Sequence, residues 1–279
     1  MSAQENSESD GSPRGHAQLR RTMARVESKN DESLARGHAL LWHGLPQPGK
    51  GPKPSLSLEQ ILITAIEIAD DEGIDALSMR RLAGQLGVGA MSLYRYVPGK
   101  LELLSLMLDH VMARSEETNT ATAFPAAQTE GWLRTLERYA WQHRARYLRH
   151  PWLLSVSIAR PMLGPNSVAD LERVVAELHT LPMSDREKIA LVTTVDGFVT
   201  GTVQQQVMEE GAARETGISD EEFWERQAPH LLQAMESGRF PVLAAMSSDM
   251  FEGSWDDDFG FGLRLLLNGI ELEVASRER

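Results

Sequence analysis

Cysteine is absent from all 279 residues. That excludes a disulfide framework, a thiolate metal site, an iron–sulfur cluster and a cysteine nucleophile. The first residues, Met1–Gly15, lack the apolar core of a secretory signal. The most apolar stretch, Ile189–Val207, is interrupted by Asp196 and three glutamines, which makes it a poor membrane span. The expected setting is soluble and cytoplasmic, with no membrane partner. The eight histidines show no H-x-x-x-H or other compact ligand spacing, so no metal is expected. A nucleophile–base motif, a glycine-rich phosphate loop and paired catalytic carboxylates are missing as well. The pattern therefore argues against an enzyme and implies no cofactor.

Hydrophobic residues make up 42% of the chain, enough for a real core. At roughly 100–200 residues per domain, the length fits one large domain or two small ones. Basic side chains number 28 and acidic ones 40, a net charge of -12. Residues 1–100 hold 12 of each, so the whole excess lies in residues 101–279, with 16 basic against 28 acidic. Between Ser78 and Lys100 stand Arg80, Arg81, Arg95 and Lys100, and no acidic residue. A local cationic surface can face phosphate while the remainder stays acidic, so the total does not exclude DNA.

Residues 1–54 show no sustained period, and Leu45–Pro54 contains four prolines and two glycines. They are expected to form a flexible arm, with Leu40-Leu41-Trp42 as a small apolar island within it. From Ser57 the pattern turns helical. Ser57 and Gln60 have capping-box spacing, Ile61, Leu62, Ala65, Ile68 and Ala69 share a face, and Gly73 supplies a stop. A second helix, Met79–Leu86, starts at the N-cap Ser78, and a third runs from Ala90 to about Val97, broken by Pro98-Gly99. Lys100 opens a fourth. Beyond the loop Thr118–Thr129, helices are expected over Trp132–Arg149, Pro151–Ile158, Ser167–Leu181, Ser184–Glu210, Asp220–Ser237 and Asp257–Ser276. No segment has convincing strand period. The expected architecture is all-α, with three small N-terminal helices over residues 55–100 and a larger helical body over 101–279.

Two short helices joined through Leu86-Gly87-Val88-Gly89 have helix-turn-helix spacing. Leu82, Ala83, Leu86, Val88, Leu93 and Val97 supply the packing. Ala90, Met91, Ser92, Tyr94, Arg95 and Tyr96 are then left on the outer face of the third helix, which suits a major groove.

The stretch Ala65–Leu104 resembles the DNA-binding domain of TetR-family transcriptional regulators. The resemblance rests on A-x-x-x-A-x-x-x-G before the turn, L-S-M-R-x-L-A-x-x-L-G-V through it and S-L-Y-x-Y-V-x-x-K after it. His150-Pro-Trp, Arg160-Pro with Gly164-Pro-Asn166, and the closing segment Phe259–Glu271 resemble the C-terminal domain of the tetracycline-repressor branch. The resemblance implies a homodimer with an inducer cavity in each helical body. It places Met79 and Arg80 near phosphates and an outer base, Ser92 and Tyr94 on contact positions, and Tyr96 against the backbone. It makes Lys100 a phosphate clamp, where free helix amides also favour an anion. Ala90 and Met91 depart from the branch, which often has a hydrogen-bonding residue and a proline there. Neither can hydrogen-bond a base, so thymine-methyl contact is their expected role. Arg95 replaces a commonly aromatic or small residue and is placed to grip phosphate or reach guanine. Plainer roles stay open: solvated charge for Arg80, Arg81 and Lys100, packing for Tyr94 and Tyr96. Lys50 and Lys53 are either arm contacts or part of a solvated linker.

In the body, Trp132, Tyr139, His143 and Tyr147 recur at helical spacing, and Trp152 follows. They are read as a candidate ligand-pocket lining, with ordinary core as the competing reading. Ser184–Glu210 and Asp257–Ser276 look like the family's two dimer-interface helices. The reading is a homodimeric repressor released from a palindromic operator by a small-molecule inducer. The alternatives are a ligand-independent DNA-binding co-regulator, or an enzyme using the aromatic pocket.

Overall fold

The computed structural model describes residues 30–44, 56–113, 131–156, 163–247, 250 and 253–278. The elements described are helices: α1 Asn30–His43, α2 Leu58–Glu72, α3 Met79–Gln85, α4 Ala90–Leu93, α5 Lys100–Met112 and α6 Gly131–Arg149. A 3₁₀ turn at Pro151–Leu154 leads on to α7 Pro165–Leu178, α8 Asp185–Thr216, α9 Asp220–Glu236, α10 Pro241–Ala244 and α11 Trp255–Arg277. The all-α expectation holds. Lys50, Lys53, Arg160 and the loop Thr118–Thr129 lie outside the described residues.

The arm expected over residues 1–54 is corrected in its last part. Asn30–His43 is helical, and Leu40 and Leu41 are buried against α5. Apolar side chains one step apart found a partner that local composition did not reveal, while Trp42 stays half out.

The three-helix unit follows its caps. Gln60 donates its backbone N–H to Ser57 Oγ at 3.1 Å, and the Gln60 side chain accepts from Ser57 N at 2.9 Å. Ile61, Ala65, Leu77, Leu82, Leu93 and Val97 form its sealed interior. The third helix is shorter than expected. Regular α-helix covers Ala90–Leu93, and residues 94–96 continue as turns, with Tyr96 N donating to Leu93 O at 2.8 Å. Pro98 lacks the N–H that another α-helical turn would use, so the segment tightens and ends.

In the body, α6 lies at the centre, packed against α7, α8 and α11. Phe259 of α11 meets the Trp141 ring edge-on at 4.7 Å and Phe198 of α8 at 5.3 Å. Buried Arg144 lies over both Trp141 and Phe259, pairs with Asp256 at 2.7 Å and donates to Gln206 at 2.9 Å. One cation thereby ties α6 to α8 and α11. At the other end of the body, Glu187 caps the start of α8 and meets Arg277 of α11 at 2.9 Å. Bonds from Ser184, then Arg277, hold the Glu187 carboxyl at about 2.

Asp70 joins the DNA-binding unit to the body, and Asp109 ties α5, the helix that follows that unit, to α7. Asp70 of α2 accepts from Trp152 Nε1 at 2.8 Å and from His150 Nδ1 at 2.9 Å. Asp109, buried on α5, caps the start of α7 with both oxygens. Oδ1 accepts from Ser167 N at 2.9 Å and its hydroxyl at 3.0 Å, and Oδ2 accepts from Asn166 Nδ2 at 3.0 Å. Gly164 is required beside it, because a Cβ there would lie 2.3 Å from Asp109 Cγ.

Asp109→Ala removes this cap and leaves buried donors without acceptors. It is expected to cost ~2–4 kcal/mol in urea unfolding. A loss below 0.5 kcal/mol, the usual scale of surface changes, would show that α7 does not depend on it.

Candidate DNA-binding face and ligand cavity

The turn between α3 and α4 depends on Gly87, whose φ of 67° lies in the left-handed region that side chains disfavour. Ser78 Oγ accepts from Arg81 N at 3.1 Å and starts α3. With this geometry fixed, the predicted contact residues separate into those that reach solvent and those that do not. Arg80, Met91, Tyr94, Arg95 and Lys100 are exposed, Met91 by 78%. Ala90, Ser92 and Tyr96 are half-buried, and Tyr96 packs partly on the core. Met91 is thus exposed alongside an exposed tyrosine and three exposed cations, and it packs on no core among the described residues.

Met79 requires a correction. Its side chain is buried in the three-helix core, so only its backbone can approach a phosphate. The position has the helical phase of Leu82 and Ala83 rather than that of Arg80. Arg81, one of the four cations of this stretch, is engaged within the chain. It pairs with Glu72 at 2.5 Å and donates to Gln85 at 2.8 Å. That contact lowers the Glu72 pKa and raises that of Arg81.

A cavity of about 360 Å³ lies between α5, α6 and α7. On α6 it is lined by Thr135, Arg138, Tyr139, Gln142, Arg146 and Arg149. Val111 of α5, His150, and Asp170 and Arg173 of α7 complete its polar and apolar walls. The size is within the range of small-molecule pockets. Of the five residues expected to line a pocket, Tyr139 stands in this wall and the other four do not. His143 and Tyr147 are buried on the neighbouring face of α6, Trp132 is half-buried against the core, and Trp152 is spent on Asp70. The aromatic stripe and the cavity stripe are adjacent faces of one helix, and aromatic character pointed to the more buried of the two.

His143 sits beneath the cavity floor, 2.9 Å from Asp170 through Nε2 and 3.2 Å from Asp196 through Nδ1. Asp170 also accepts from Arg173, and Arg146 Nη1 approaches it at 3.7 Å. Burial works to raise the Asp170 pKa. The hydrogen bond from His143 and the charges of His143, Arg146 and Arg173 outweigh burial and hold it below its ordinary value. Burial, with the Asp196 and Asp170 charges, pushes the Tyr139 phenol far up, so Tyr139 remains a hydrogen-bond donor. The joint to the DNA-binding unit passes alongside. His150 lines the cavity and holds Asp70, while Asp109 and its α7 cap stand one turn from Val111 and Asp170. Neither carboxylate was singled out in the sequence, where each reads as an ordinary charge on a helix.

Along residues 61–107 the chain matches the model for bacterial regulatory proteins of the tetR family, and along 124–274 that for the tetracyclin repressor-like C-terminal domain. It is 44% identical over 253 residues to the HTH-type transcriptional repressor DrrR1 of Streptomyces coeruleorubidus, covering 90% of this chain and 91% of that one. It is 24% identical over 226 residues to the class E tetracycline repressor protein of Escherichia coli, covering 80% and 94%. Among solved structures, the TetR family protein ActR of Streptomyces coelicolor in complex with actinorhodin superposes with a TM-score of 0.62. Its identity is 27%, with 79% of this chain and 97% of that one covered.

Because Asp170 is held ionised, its contribution to stability is complete above its unfolded value, about pH 4, and is lost as pH falls through the lower folded value. Asp170→Asn is expected to be about 3 kcal/mol less stable at neutral pH, since it removes the carboxylate that faces buried His143 and the guanidiniums of Arg146 and Arg173. Thermal melts should show that gap closing below pH 4. A gap independent of pH would mean that the carboxylate charge contributes nothing.

Proposed function

The chain belongs to the TetR family of bacterial transcriptional regulators, and from that footing we propose a homodimeric repressor that leaves a palindromic operator when a small molecule enters the α5–α6–α7 cavity. The observation that carries this is the connection between the two sites. The exposed residues in and just after α4 belong to a unit held to the cavity wall through Asp70 and His150, and the next helix, α5, is held to α7 through Asp109. A DNA-binding regulator of this kind works in the cytoplasm.

Arg80 and Lys100 grip phosphates on either side of α4, which sets register without reading sequence. Ala90 and Met91 offer only apolar contact to thymine methyls, and Ser92, Tyr94 and Arg95 supply the polar reach. Tyr96, half-buried, rests against the backbone. Dimerisation runs through Ser184–Glu210 and Asp257–Ser276. Supporting it, Ile189 and Met208 on α8 and Phe261, Leu265 and Leu272 on α11 are exposed. Gly197, Gly201 and Gly269 have open space where a Cβ would be, while Gly262 is already filled by the Phe198 ring of the same chain. Phe223, Trp224, Leu232 and Val242, on α9 and α10, are exposed too and extend the surface a second subunit would cover.

The mechanism is a shift between two separations of the α4 helices. Operator binding needs them about 34 Å apart, one turn of DNA. A ligand favouring another separation by about 2.7 kcal/mol lowers operator occupancy a hundredfold. His150 in the cavity wall, and α7 with its Asp109 cap, are the parts through which that preference acts on α2 and α5.

Selection of bound duplexes from a random pool, near physiological salt, is expected to return one palindrome with half-sites about one turn apart. Recovery of no common sequence from folded protein would overturn the operator reading. With the palindrome in hand, Arg95→Ala is expected to relax specificity at one base pair and cost about 1–3 kcal/mol, whereas Lys100→Ala should weaken all sequences equally and reduce the salt slope by about one. A uniform loss for Arg95→Ala would make it a phosphate contact instead.

A further inference from the structure

From the charges around the cavity, we infer that its ligand is an organic acid, a carboxylate on an apolar body. This rests on the cavity being the inducer site and names the class of compound it takes. Four guanidiniums, those of Arg138, Arg146, Arg149 and Arg173, stand in a wall that contains one carboxylate, Asp170. That excess of cations occurs within residues 101–279, the part of the chain that holds the entire net charge of -12. Asp170 is one charge against four, and its oxygens accept from His143 and Arg173.

The remaining donors are left with little. Arg146 Nη1 is buried without a hydrogen-bond partner and lies 3.7 Å from Asp170, beyond hydrogen-bonding distance. Arg138 has only Thr135 Oγ1, at the 3.5 Å limit, and Arg149 makes no ion pair among the described residues. Tyr139, whose phenol stays protonated, adds an O–H from the same wall. A buried guanidinium N–H without an acceptor is unfavourable, and a carboxylate answers it with two oxygens in matching fork geometry. Val111 and Val174, with the arginine stems, provide apolar walls for the rest of the molecule. Among the described residues of the wall, a cationic ligand would meet four like charges and no carboxylate besides Asp170.

The test uses three naphthalenes of one shape, 2-naphthoate, 2-naphthamide and 2-naphthylmethylammonium, titrated calorimetrically into the full chain with operator retention followed in parallel. Naphthoate is expected to bind at least about tenfold more tightly than the amide, and the ammonium not measurably. Arg146→Gln should bring the acid-to-amide ratio close to one. Arg149→Gln, on the exposed side of the wall and outside the buried network, should reduce the same ratio should Arg146→Gln fail to fold. Equal or tighter binding of the amide or ammonium, or no binding of naphthoate at millimolar concentration, overturns the inference. The two readings fail separately. Operator release by the ammonium would keep the inducible repressor and sink the acid class. Naphthoate held through Arg146 with the operator still bound would keep the acid class and count against the inducer role.

Discussion

A charged or polar side chain taken out of water must be met by a partner or it costs several kilocalories per mole, and α6 takes several out at once. Their partners come from each neighbouring helix in turn. Arg144 is answered by Asp256 of α11 and Gln206 of α8, and His143 by Asp170 of α7 and Asp196 of α8. His150, just past the end of α6, is answered by Asp70 of α2. These pairs decide where the surrounding helices can sit. Apolar packing by Leu136, Ala140 and Tyr147 would tolerate sliding, whereas a buried charge and its partner tolerate very little.

The same requirement gives the body its working surface. Three faces of α6 are bound into the core and to α8 and α11, and the fourth, running through Arg138, Gln142, Arg146 and Arg149, opens on the cavity. Among the described residues, Arg146 Nη1 is the guanidinium nitrogen there that is buried without a hydrogen-bond partner. His150 lies at the junction, lining the cavity on one side and holding the DNA-binding unit through Asp70 on the other. A ligand that alters the arginine face therefore acts within one residue of the joint to α2. The second joint, Asp109 on the α7 cap, adjoins the helix that carries Asp170 and Arg173.

In the DNA-binding unit, function and stability draw on different residues. Leu82, Leu93 and Val97 are sealed in the core, and Arg81 is spent on Glu72, leaving Arg80, Arg95 and Lys100 as the exposed cations of residues 78–100. The tight turns after α4 keep Tyr94 and Arg95 outward while Pro98 ends the segment. In the acidic remainder, the exposed apolar residues of α8, α9 and α11 are the surface this chain leaves uncovered.

Sequence alone determined the helical class, the caps at Ser57 and Ser78, the turn at Gly87 and the outward face of α4, because each depends on residues a few positions apart. Helical phase and capping chemistry are local, and they were legible without neighbours. Tertiary structure decided which stripe of α6 faces a cavity. Tyr139, His143 and Tyr147 share a face by periodicity, but the packed structure buried all three, brought Tyr139 alone of them to the cavity wall and left the arginine stripe open. It also decided that Met79 turns inward, that Leu40 and Leu41 dock on α5, and that Trp152 pins Asp70 rather than touching a ligand. These outcomes depend on partners up to 82 residues away in sequence. A carboxylate that becomes a joint is indistinguishable, in a one-dimensional pattern, from one that meets only water.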